Sequence, residues 1–367
     1  MTSLDRENRP TRGLGLSLPG GGVTGAMYQV GVIAALKDGL VDFRAGDLDV
    51  FVGSSAGATV ATFLAAGNSA QRLYRALLDP SDPFFPLQRH HLMRFDGAEW
   101  RRVGLSTLNA ARRLFSSVTS SPLEADVWNE LDRFWDSLPA GIFTLDAYEQ
   151  FLAEIMLRRG VPDRFSDMPR KLVIVAIDLD QGARALFGLD ALAHIPVARA
   201  ICASAATPIL FAPVRIEGRD YVEGGLGAVA HVDVAKSLGC DLVLVVNPMV
   251  PIQTDPAVRD IPTGHGTMQH VRDKGALWVY SQSWRVRTES RMREGLARFR
   301  SENPGTRVVL VEPDQTEATM FMYSPMNFAA RRHILEDGYT QTTKALRNPD
   351  SELRRALESR GLVTKSG

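Results

Sequence analysis

Ser55 is the residue whose neighbours are most clearly arranged for chemistry. It lies at the centre of a G-x-S-x-G pattern that runs from Gly53 to Gly57. An apolar run, residues 50–52, precedes the pattern, and small and apolar residues typical of a buried helix follow it. In a strand–turn–helix unit the serine stands at a sharp turn, and the two glycines prevent side chains from colliding across that turn. Because glycine and serine are common, it is this context that predicts a nucleophile.

A second stretch, residues 20–25, is rich in glycine and reads GGGVTG. It lies between a predicted strand, residues 12–19, and a predicted helix, residues 26–38, so its N–H groups can face an anion. It matches neither G-x-x-x-x-G-K-[ST] nor a clean G-x-G-x-x-G. A plain tight turn is the alternative, but a serine elbow about thirty residues later favours an oxyanion hole. The predicted oxyanion-hole residues are Gly20, Gly21, Gly22, Val23 and Gly25, with the amide of Ala56 as a further candidate.

A third block begins at residues 204–213, which read SAATPILFAP, and ends in the sequence Glu223-Gly224-Gly225 after a short predicted strand. With the two glycine-containing turns, these segments resemble the patatin-like phospholipase family in composition and order. The likeness covers about residues 13–248. It implies a serine acyl hydrolase with a Ser–carboxylate dyad. By this resemblance Ser55 is the nucleophile and Glu223 the base, Gly53 and Gly57 form the nucleophile elbow, and Gly224 and Gly225 form the carboxylate turn.

The sequence departs from the family pattern at two positions. Glu223 stands where the family usually has Asp, and Thr24 stands where it usually has Lys or Arg. Glutamate has nearly the same unperturbed pKa as aspartate, but its side chain is one methylene longer. A misplacement of about 1 Å can cost about 10²-fold in rate, so the site is either locally adjusted or impaired.

A Ser–carboxylate–His triad is an alternative that the residues leave open. Of the histidines that could complete it, His231 is the nearest in sequence to Glu223. The glycine loop and the Glu-Gly-Gly block fit a dyad better. Asp220 is a second candidate base, but its odd spacing from Glu223 would place it on the opposite face of a strand. The remaining candidate histidines are His265, His270 and His333.

Composition narrows the class of protein. Lys+Arg and Asp+Glu both number 42 among 367 residues, which argues against a nucleic-acid binder. Two distant cysteines suggest no disulfide framework. We expect no metal and no organic cofactor, no signal peptide and no membrane span. The expected setting is cytoplasmic, with membrane contact that is at most peripheral.

The order of predicted elements defines the expected fold. Strands alternate with helices, which predicts an α/β protein with a mainly parallel sheet and helices on both faces. Catalytic loops would then gather at the carboxyl ends of the strands. We expect one domain over residues 1–367, with a core at about 13–248, a helical insertion at about 73–167 and a C-terminal helical extension at about 267–367.

One part of the insertion mixes apolar and basic residues, and it has two interpretations. Helices that pack on the core with a solvated basic face would produce this mixture. A lid or lipid-facing surface would also produce it, because the basic residues could meet anionic headgroups. The apolar residues are Phe84, Phe85, Leu87, Leu92, Met93, Phe95 and Trp100, and the basic ones are Arg89, Arg94, Arg101 and Arg102.

The expected function is hydrolysis of a lipid or other acyl ester through an acyl-enzyme. Glu223 would take the proton of Ser55, and the glycine loop would hold the oxyanion. Three alternatives stay open. They are a transacylase, a lipid-binding or scaffold protein with an impaired site, and a nucleotide binder that uses residues 20–25.

Overall fold

The centre of the molecule is an eight-stranded sheet. The computed structural model describes residues 13–95, 97–120, 132, 135, 136, 138–226, 230–254, 260–263, 266–314, 320 and 323–365. The strands are β1 (Gly13–Leu18), β2 (Val50–Gly53), β3 (Gly141–Phe143), β4 (Lys171–Asp178), β5 (Ala183–Phe187), β6 (Ile209–Phe211), β7 (Val214–Ile216), β8 (Arg219–Glu223), β9 (Cys240–Val246), β10 (Ile261–Thr263), β11 (Gly266–Met268) and β12 (Arg307–Val311).

The order of the sheet is β12-β9-β1-β2-β4-β8-β7. The pairs from β12 to β4 are parallel, whereas β8 is antiparallel to both β4 and β7. Strand β5 forms an antiparallel hairpin with β4. Two short pairs lie outside this sheet, β3 with β6 and β10 with β11. The predicted mainly parallel sheet is therefore confirmed.

The helices connect the strands and cover the sheet. They are α1 (Gly22–Gly39), α2 (Ala56–Ala65), α3 (Ala70–Leu78), α4 (Arg89–Leu92), α5 (Gly97–Ser120), α6 (Asp146–Arg159), α7 (Val197–Ala205), α8 (Val232–Ser237), α9 (Ala276–Glu302), α10 (Arg331–Arg347) and α11 (Glu352–Glu358). Helix α1 begins four residues before the predicted start at Ala26. The end of the glycine loop is therefore the first turn of this helix, where N–H groups have no intrahelical acceptor.

Side-chain alternation along the strands builds a core on each face of the sheet. Phe51, Ile174 and Leu244 belong to the larger core, which also contains the buried residues of α1, α2, α7 and α10. Val52 and Val175 point the other way, into a smaller core with residues of α8 and α9. The predicted helices on both faces are confirmed by these two cores.

Strands β2 and β8 share one edge of β4. Ile174 of β4 pairs with Gly53 of β2 and also with Phe187 of β5. Two residues further along, Ala176 pairs with Glu223 of β8 and again with β5. Since β5 takes one edge at both positions, β2 and β8 both lie along the other edge. The antiparallel β8 therefore ends where β2 ends, and the two strand ends meet.

The insertion and the extension are more closely tied to the core than the sequence suggests. The stretch at 73–167 contains β3 as well as helices. The apolar candidate lipid-facing residues differ in burial. Phe84, Phe85 and Leu92 are buried in the main core, Leu87 packs partly buried against it, and Met93, Phe95 and Trp100 are exposed. For the first three residues the structure contradicts the lipid-facing interpretation. The C-terminal extension contributes β12 to the central sheet.

We predict that Gly224→Ala destabilises the protein by roughly 2 kcal/mol or more, because overpacking at a rigid backbone site cannot relax. A β-carbon at Gly224 would lie 2.1 Å from the carbonyl oxygen of Val175 in β4. Urea unfolding followed by circular dichroism measures this change.

Gly225→Ala is the matched control for this experiment. The nearest atom to a β-carbon at Gly225 is 3.8 Å away, so we expect its midpoint to stay close to that of the wild type. Equal midpoints for Gly224→Ala and the wild type would contradict the close approach of this turn to β4.

Candidate active site

Ser55 stands at the apex of a strained turn between β2 and α2. Its φ of 53° and ψ of −131° lie in a region that costs a non-glycine residue free energy, and such strain is typical of functional sites. A β-carbon at Gly57 would lie 2.0 Å from the carbonyl oxygen of Leu18, and one at Gly53 would lie 2.6 Å from Cα of Ala58. Both motif glycines are therefore required by close backbone approach.

The segment from Ser204 to Thr207, at the end of α7, contacts both members of the candidate dyad. The backbone N–H of Ser55 donates to Oγ of Ser204 at 2.8 Å. The hydroxyl of Thr207 donates to Oε2 of Glu223 at 2.7 Å. The N–H of Glu223 donates to the carbonyl of Ala206 at 3.1 Å. One segment therefore fixes the nucleophile and the carboxylate relative to each other.

Burial raises the pKa of the Glu223 carboxyl, and hydrogen bonds from the hydroxyls of Thr207 and Ser55 lower it in part. The net direction is upward from the usual value of a glutamate. A carboxylate with a raised pKa is a stronger base, which suits proton abstraction from a serine. Glu223 and Ser55 are 9% and 5% exposed, so the pair is largely screened from water.

Gly20 makes the room that the longer glutamate needs. A β-carbon at this position would lie 2.8 Å from Cβ of Ser55, 3.3 Å from its Oγ and 2.9 Å from Oε1 of Glu223. Oγ of the serine and Oε1 of the glutamate therefore border the same small space above the Gly20 backbone. The extra methylene of Glu223 is accommodated locally, so its length alone does not separate base from nucleophile.

The glycine loop presents unused donors beside this pair. The amides of Gly21, Gly22 and Val23 have no hydrogen-bond partner among the residues that the structure describes. The amide of Gly25 instead donates to the carbonyl of Gly21 at 3.0 Å, inside the first turn of α1. The amide of Gly20 likewise has no partner among the described residues. The amides of Gly20 to Val23 are therefore the available donors of the predicted set, at the amino end of a helix dipole.

Helix α9 and the segment after β9 support the loop from behind. A β-carbon at Gly21 would lie 2.7 Å from Cγ of Pro248. The buried guanidinium of Arg285 donates from Nη1 to the carbonyls of Val250 at 2.9 Å and Pro248 at 3.4 Å. Burial lowers the pKa of Arg285 to about 10, so it keeps its charge at neutral pH. This buried cation fixes the backbone on which the loop rests.

Tyr280 of α9 is close enough to Glu223 for the two groups to interact electrostatically. Burial and the Glu223 carboxylate both raise the pKa of the Tyr280 phenol. The ring of Trp284, one turn further along the helix, lies 6.0 Å from that of Tyr280. Helix α9 therefore lies near the candidate base.

The other candidate bases do not bond to Ser55 or Glu223 in the described part of the chain. His231 is buried, and neither ring nitrogen has a hydrogen-bond partner among the described residues. Burial, and then Arg184, lower the pKa of His231 to about 3, so it is neutral. Asp220 forms an ion pair with Arg215 at 2.7 Å. The described hydrogen-bond partners of the Glu223 carboxylate are Thr207 and Ser55, and neither is a histidine.

Two of the remaining histidines of the triad alternative have contacts that do not involve Ser55 or Glu223. His270 precedes a short 3₁₀ turn, and its N–H donates to Asp273. The ring of His333 lies 6.1 Å from that of Tyr323. His265 lies outside the described residues.

Three further features of the described residues bear on the site. Within the described residues no group of three or more His, Cys, Asp or Glu side chains could hold a metal ion. No described helix has both the length and the apolar character needed to cross a bilayer. A cavity of about 500 Å³ lies between β12 and α10, but neither Ser55 nor Glu223 lines it.

Sequence reasoning missed the residues that position the dyad. Ser204 and Thr207 lie in the SAATPILFAP stretch, which signals the family block but assigns no role to either hydroxyl. Arg285 is one of several arginines in a polar helix, and only its burial distinguishes it. The spacing of positions 285, 292, 296 and 299 places them on one face of that helix, and the last three are apolar. An arginine on this otherwise apolar face is the signal that could have marked Arg285.

A family model described as Patatin-like phospholipase matches residues 16–236, which is more than half of the chain. The matched range contains Ser55, Glu223 and the glycine loop, and it ends before α9. A comparison with curated proteins finds no match.

Solved structures with similarity to the chain include VipD from Legionella pneumophila, at 16% identity and a TM-score of 0.39, where 92% of this chain and 66% of VipD are covered. ExoU of Pseudomonas aeruginosa has 15% identity and a TM-score of 0.40, with 97% and 55% covered. Human GIVD cytosolic phospholipase A2 has 12% identity and a TM-score of 0.31, with 95% and 59% covered. This chain thus spans less than two thirds of each of these proteins.

We predict that Thr207→Val moves the acidic limb of the pH–rate profile to higher pH. The Thr207 hydroxyl stabilises the charged form of Glu223 and so lowers its pKa. Without that bond the pKa rises further, and a smaller fraction of Glu223 is deprotonated at a given acidic pH. The rate of Ser55 labelling by a fluorophosphonate, measured across the pH range, follows the ionisation directly.

Thr207→Ser retains a hydroxyl and is the control. We expect its acidic limb to stay near that of the wild type. A Thr207→Val profile whose limb is unmoved, or moves to lower pH, would show that this hydrogen bond does not tune the base.

Proposed function

Because the chain belongs to the patatin-like phospholipase family, we propose that it is a serine hydrolase that cleaves acyl esters of lipids through an acyl-enzyme. The observation that carries the proposal is the pairing of a strained Ser55 with a buried Glu223 beside unused loop amides. Family membership supports lipid hydrolysis in general. The dyad chemistry and the roles of individual residues are part of the proposal.

The proposed reaction begins with proton transfer from Ser55 to Glu223. The Ser55 oxygen attacks the ester carbonyl, and the amides of Gly21, Gly22 and Val23 hold the resulting oxyanion. Protonated Glu223 returns its proton to the leaving alcohol as the acyl-enzyme forms. A water molecule then attacks the acyl-enzyme, with Glu223 again as base, and releases the fatty acid. No step in this sequence requires a metal or an organic cofactor.

Two features support a competent site despite the departures from the family pattern. The raised pKa of Glu223 favours base catalysis. The space above Gly20 admits the longer side chain. Thr24, which stands where the family usually has a cation, is buried, and its amide donates to the carbonyl of Pro325 at 3.2 Å. Thr24 therefore has a structural role in the loop, and the neighbouring loop amides stay available to bind the oxyanion.

We also infer that the protein contacts a membrane surface through an exposed apolar patch on and before α5. The exposed side chains of this α5 patch are Met93, Phe95, Trp100, Leu105 and Leu108. The exposed arginines Arg94 and Arg101 flank the patch and suit anionic headgroups.

The α5 patch leads towards the dyad. The ring of Phe95 lies 4.7 Å from that of Phe143, which in turn lies 6.4 Å from that of Phe211. Phe211 closes the short segment that starts at Thr207, the residue bound to Glu223. A lipid that enters from this patch would therefore approach the catalytic carboxylate.

We predict one fluorophosphonate adduct on the wild-type protein and none on Ser55→Ala, as measured by intact mass. Glu223→Gln keeps the shape of the side chain but removes the base. We expect it to lower the labelling rate by about 10²–10⁴-fold, the usual contribution of a general base.

Ser54→Ala is the matched control, because Ser54 is the neighbouring buried serine and should leave labelling unchanged. A folded wild type that forms no adduct in the presence of detergent would contradict the hydrolase proposal and favour an impaired, lipid-binding protein. Product analysis with an added alcohol separates hydrolysis from acyl transfer.

For the membrane contact we predict that Phe95→Asp combined with Leu105→Asp lowers co-sedimentation with vesicles of anionic phospholipid several-fold. The charged side chains oppose insertion of the patch, and labelling of Ser55 in detergent should not change. Leu157→Asp is the control, because Leu157 lies on α6 outside the patch and its side chain is 82% exposed. Equal losses in both variants would contradict a role for the α5 patch.

A further inference from the structure

One face of α9 borders a small cleft next to the catalytic carboxylate. Trp284, Arg287, Thr288 and Arg291 line it, and their spacing of three, four and seven residues places them on one side of the helix. The opposite wall consists of Gly225 and Leu226, which directly follow Glu223 in the chain. The cleft offers about 50 Å³, which is enough for a few water molecules or one compact group such as a phosphoryl.

The two arginines of the cleft differ from other arginines of the same helix. Arg293 is paired with Glu289 and Glu312, and Arg298 is paired with Glu302. Arg287 has no ion pair and no hydrogen bond within the described part of the chain. Arg291 donates to the carbonyl of Leu226 at 3.0 Å and meets no carboxylate among the described residues. The cleft therefore carries positive charge that the described protein does not neutralise.

The chemistry of the lining selects one class of ligand. A guanidinium is planar and presents several donors in a fixed fork, so it matches the oxygens of a phosphate. Thr288 adds a hydroxyl, and Trp284 adds an apolar wall against which a glycerol or alkyl portion can rest. A phosphodiester has both parts, whereas a neutral ester offers no charge to the arginines.

Resting on the proposed function, we propose that this cleft is a phosphoryl subsite that holds the headgroup phosphate of the substrate while its acyl ester lies at Ser55. The position of the cleft supports this, because its wall is continuous with the turn that carries Glu223. The loop itself has Thr24, which has no charge, so α9 supplies the cations at this end of the site. With this subsite, we expect the protein to select glycerophospholipids over acylglycerols as substrates.

A comparison of two lipids tests the subsite. Phosphatidylglycerol and diacylglycerol with identical acyl chains are presented in the same detergent micelles, and kcat/KM is measured for each. We expect Arg287→Gln to lower the value for phosphatidylglycerol about tenfold, and Arg287→Gln with Arg291→Gln to lower it about 10²-fold, the usual effect of losing charge-assisted hydrogen bonds. Turnover of diacylglycerol should stay within about twofold, since it has no phosphate.

Arg298→Gln is the matched control, because it removes an arginine from α9 outside the cleft and should leave the ratio of the two lipids unchanged. An equal loss for both lipids in the double variant would mean that the arginines support the structure of the turn, and it would overturn the proposal. No loss for either lipid would overturn it as well.

A binding measurement separates failure of the subsite from failure of the hydrolase proposal. Binding of glycerophosphoglycerol and of inorganic phosphate to Ser55→Ala is followed by tryptophan fluorescence, with Trp284→Phe to assign the signal. If the wild type cleaves no ester but binding is lost in the double arginine variant, the subsite stands and the hydrolase proposal fails. If inorganic phosphate binds as tightly as the diester and the lipid comparison shows no selective loss, the site takes free phosphate and its headgroup role is overturned. Absence of any binding, together with an unchanged lipid ratio, overturns the subsite itself.

Discussion

The shared edge of β4 is the constraint on which the candidate site depends. Because β2 and β8 pair with the same edge in succession, the turn that follows β2 and the last residue of β8 meet at one point. Ser55 and Glu223 are 168 positions apart in the chain, and no loop joins them. The register of the pairing therefore sets the geometry of the dyad, and a slip of one residue would turn Glu223 to the other face of the sheet. Gly224, which lies against the backbone of Val175, allows β8 to reach this register.

Burial and hydrogen bonding act on Glu223 in opposite directions, and their balance decides what the residue can do. Burial raises the pKa of the carboxyl and so favours the protonated form, which cannot accept a proton. The hydroxyls of Thr207 and Ser55 stabilise the charged form and limit this effect. A dyad has no imidazole between base and nucleophile, so one carboxylate must be both well placed and moderately basic. The same hydrogen bond from Thr207 serves both needs, since it fixes Oε2 and leaves Oε1 towards Ser55.

The sequence allowed the fold class and the identity of the dyad candidates to be predicted, because these depend on local patterns. The elbow around Ser55, the glycine loop and the Glu-Gly-Gly turn are each contiguous, and alternating strands and helices predict a parallel sheet. Local sequence patterns do not predict contacts between distant segments. The bond from Ser55 to Ser204 spans 149 residues, and nothing in either local sequence specifies it. The same limit explains Phe84 and Phe85, whose aromatic character is compatible with a lipid surface but which pack against Phe63 in the core.

Helix α9 contributes to the candidate site although it lies outside the part of the chain that matches the family model. It lies beyond the matched range of residues 16–236, yet Arg285 holds the backbone behind the glycine loop and Tyr280 interacts with Glu223. A buried guanidinium without a carboxylate partner among the described residues is costly, and the two carbonyls that accept from Nη1 of Arg285 offset that cost only in part. The guanidinium holds the backbone of Pro248 and Val250, and Pro248 lies against Gly21 of the glycine loop. The glycine loop is therefore supported by a helix that lies outside the segment that identifies the family.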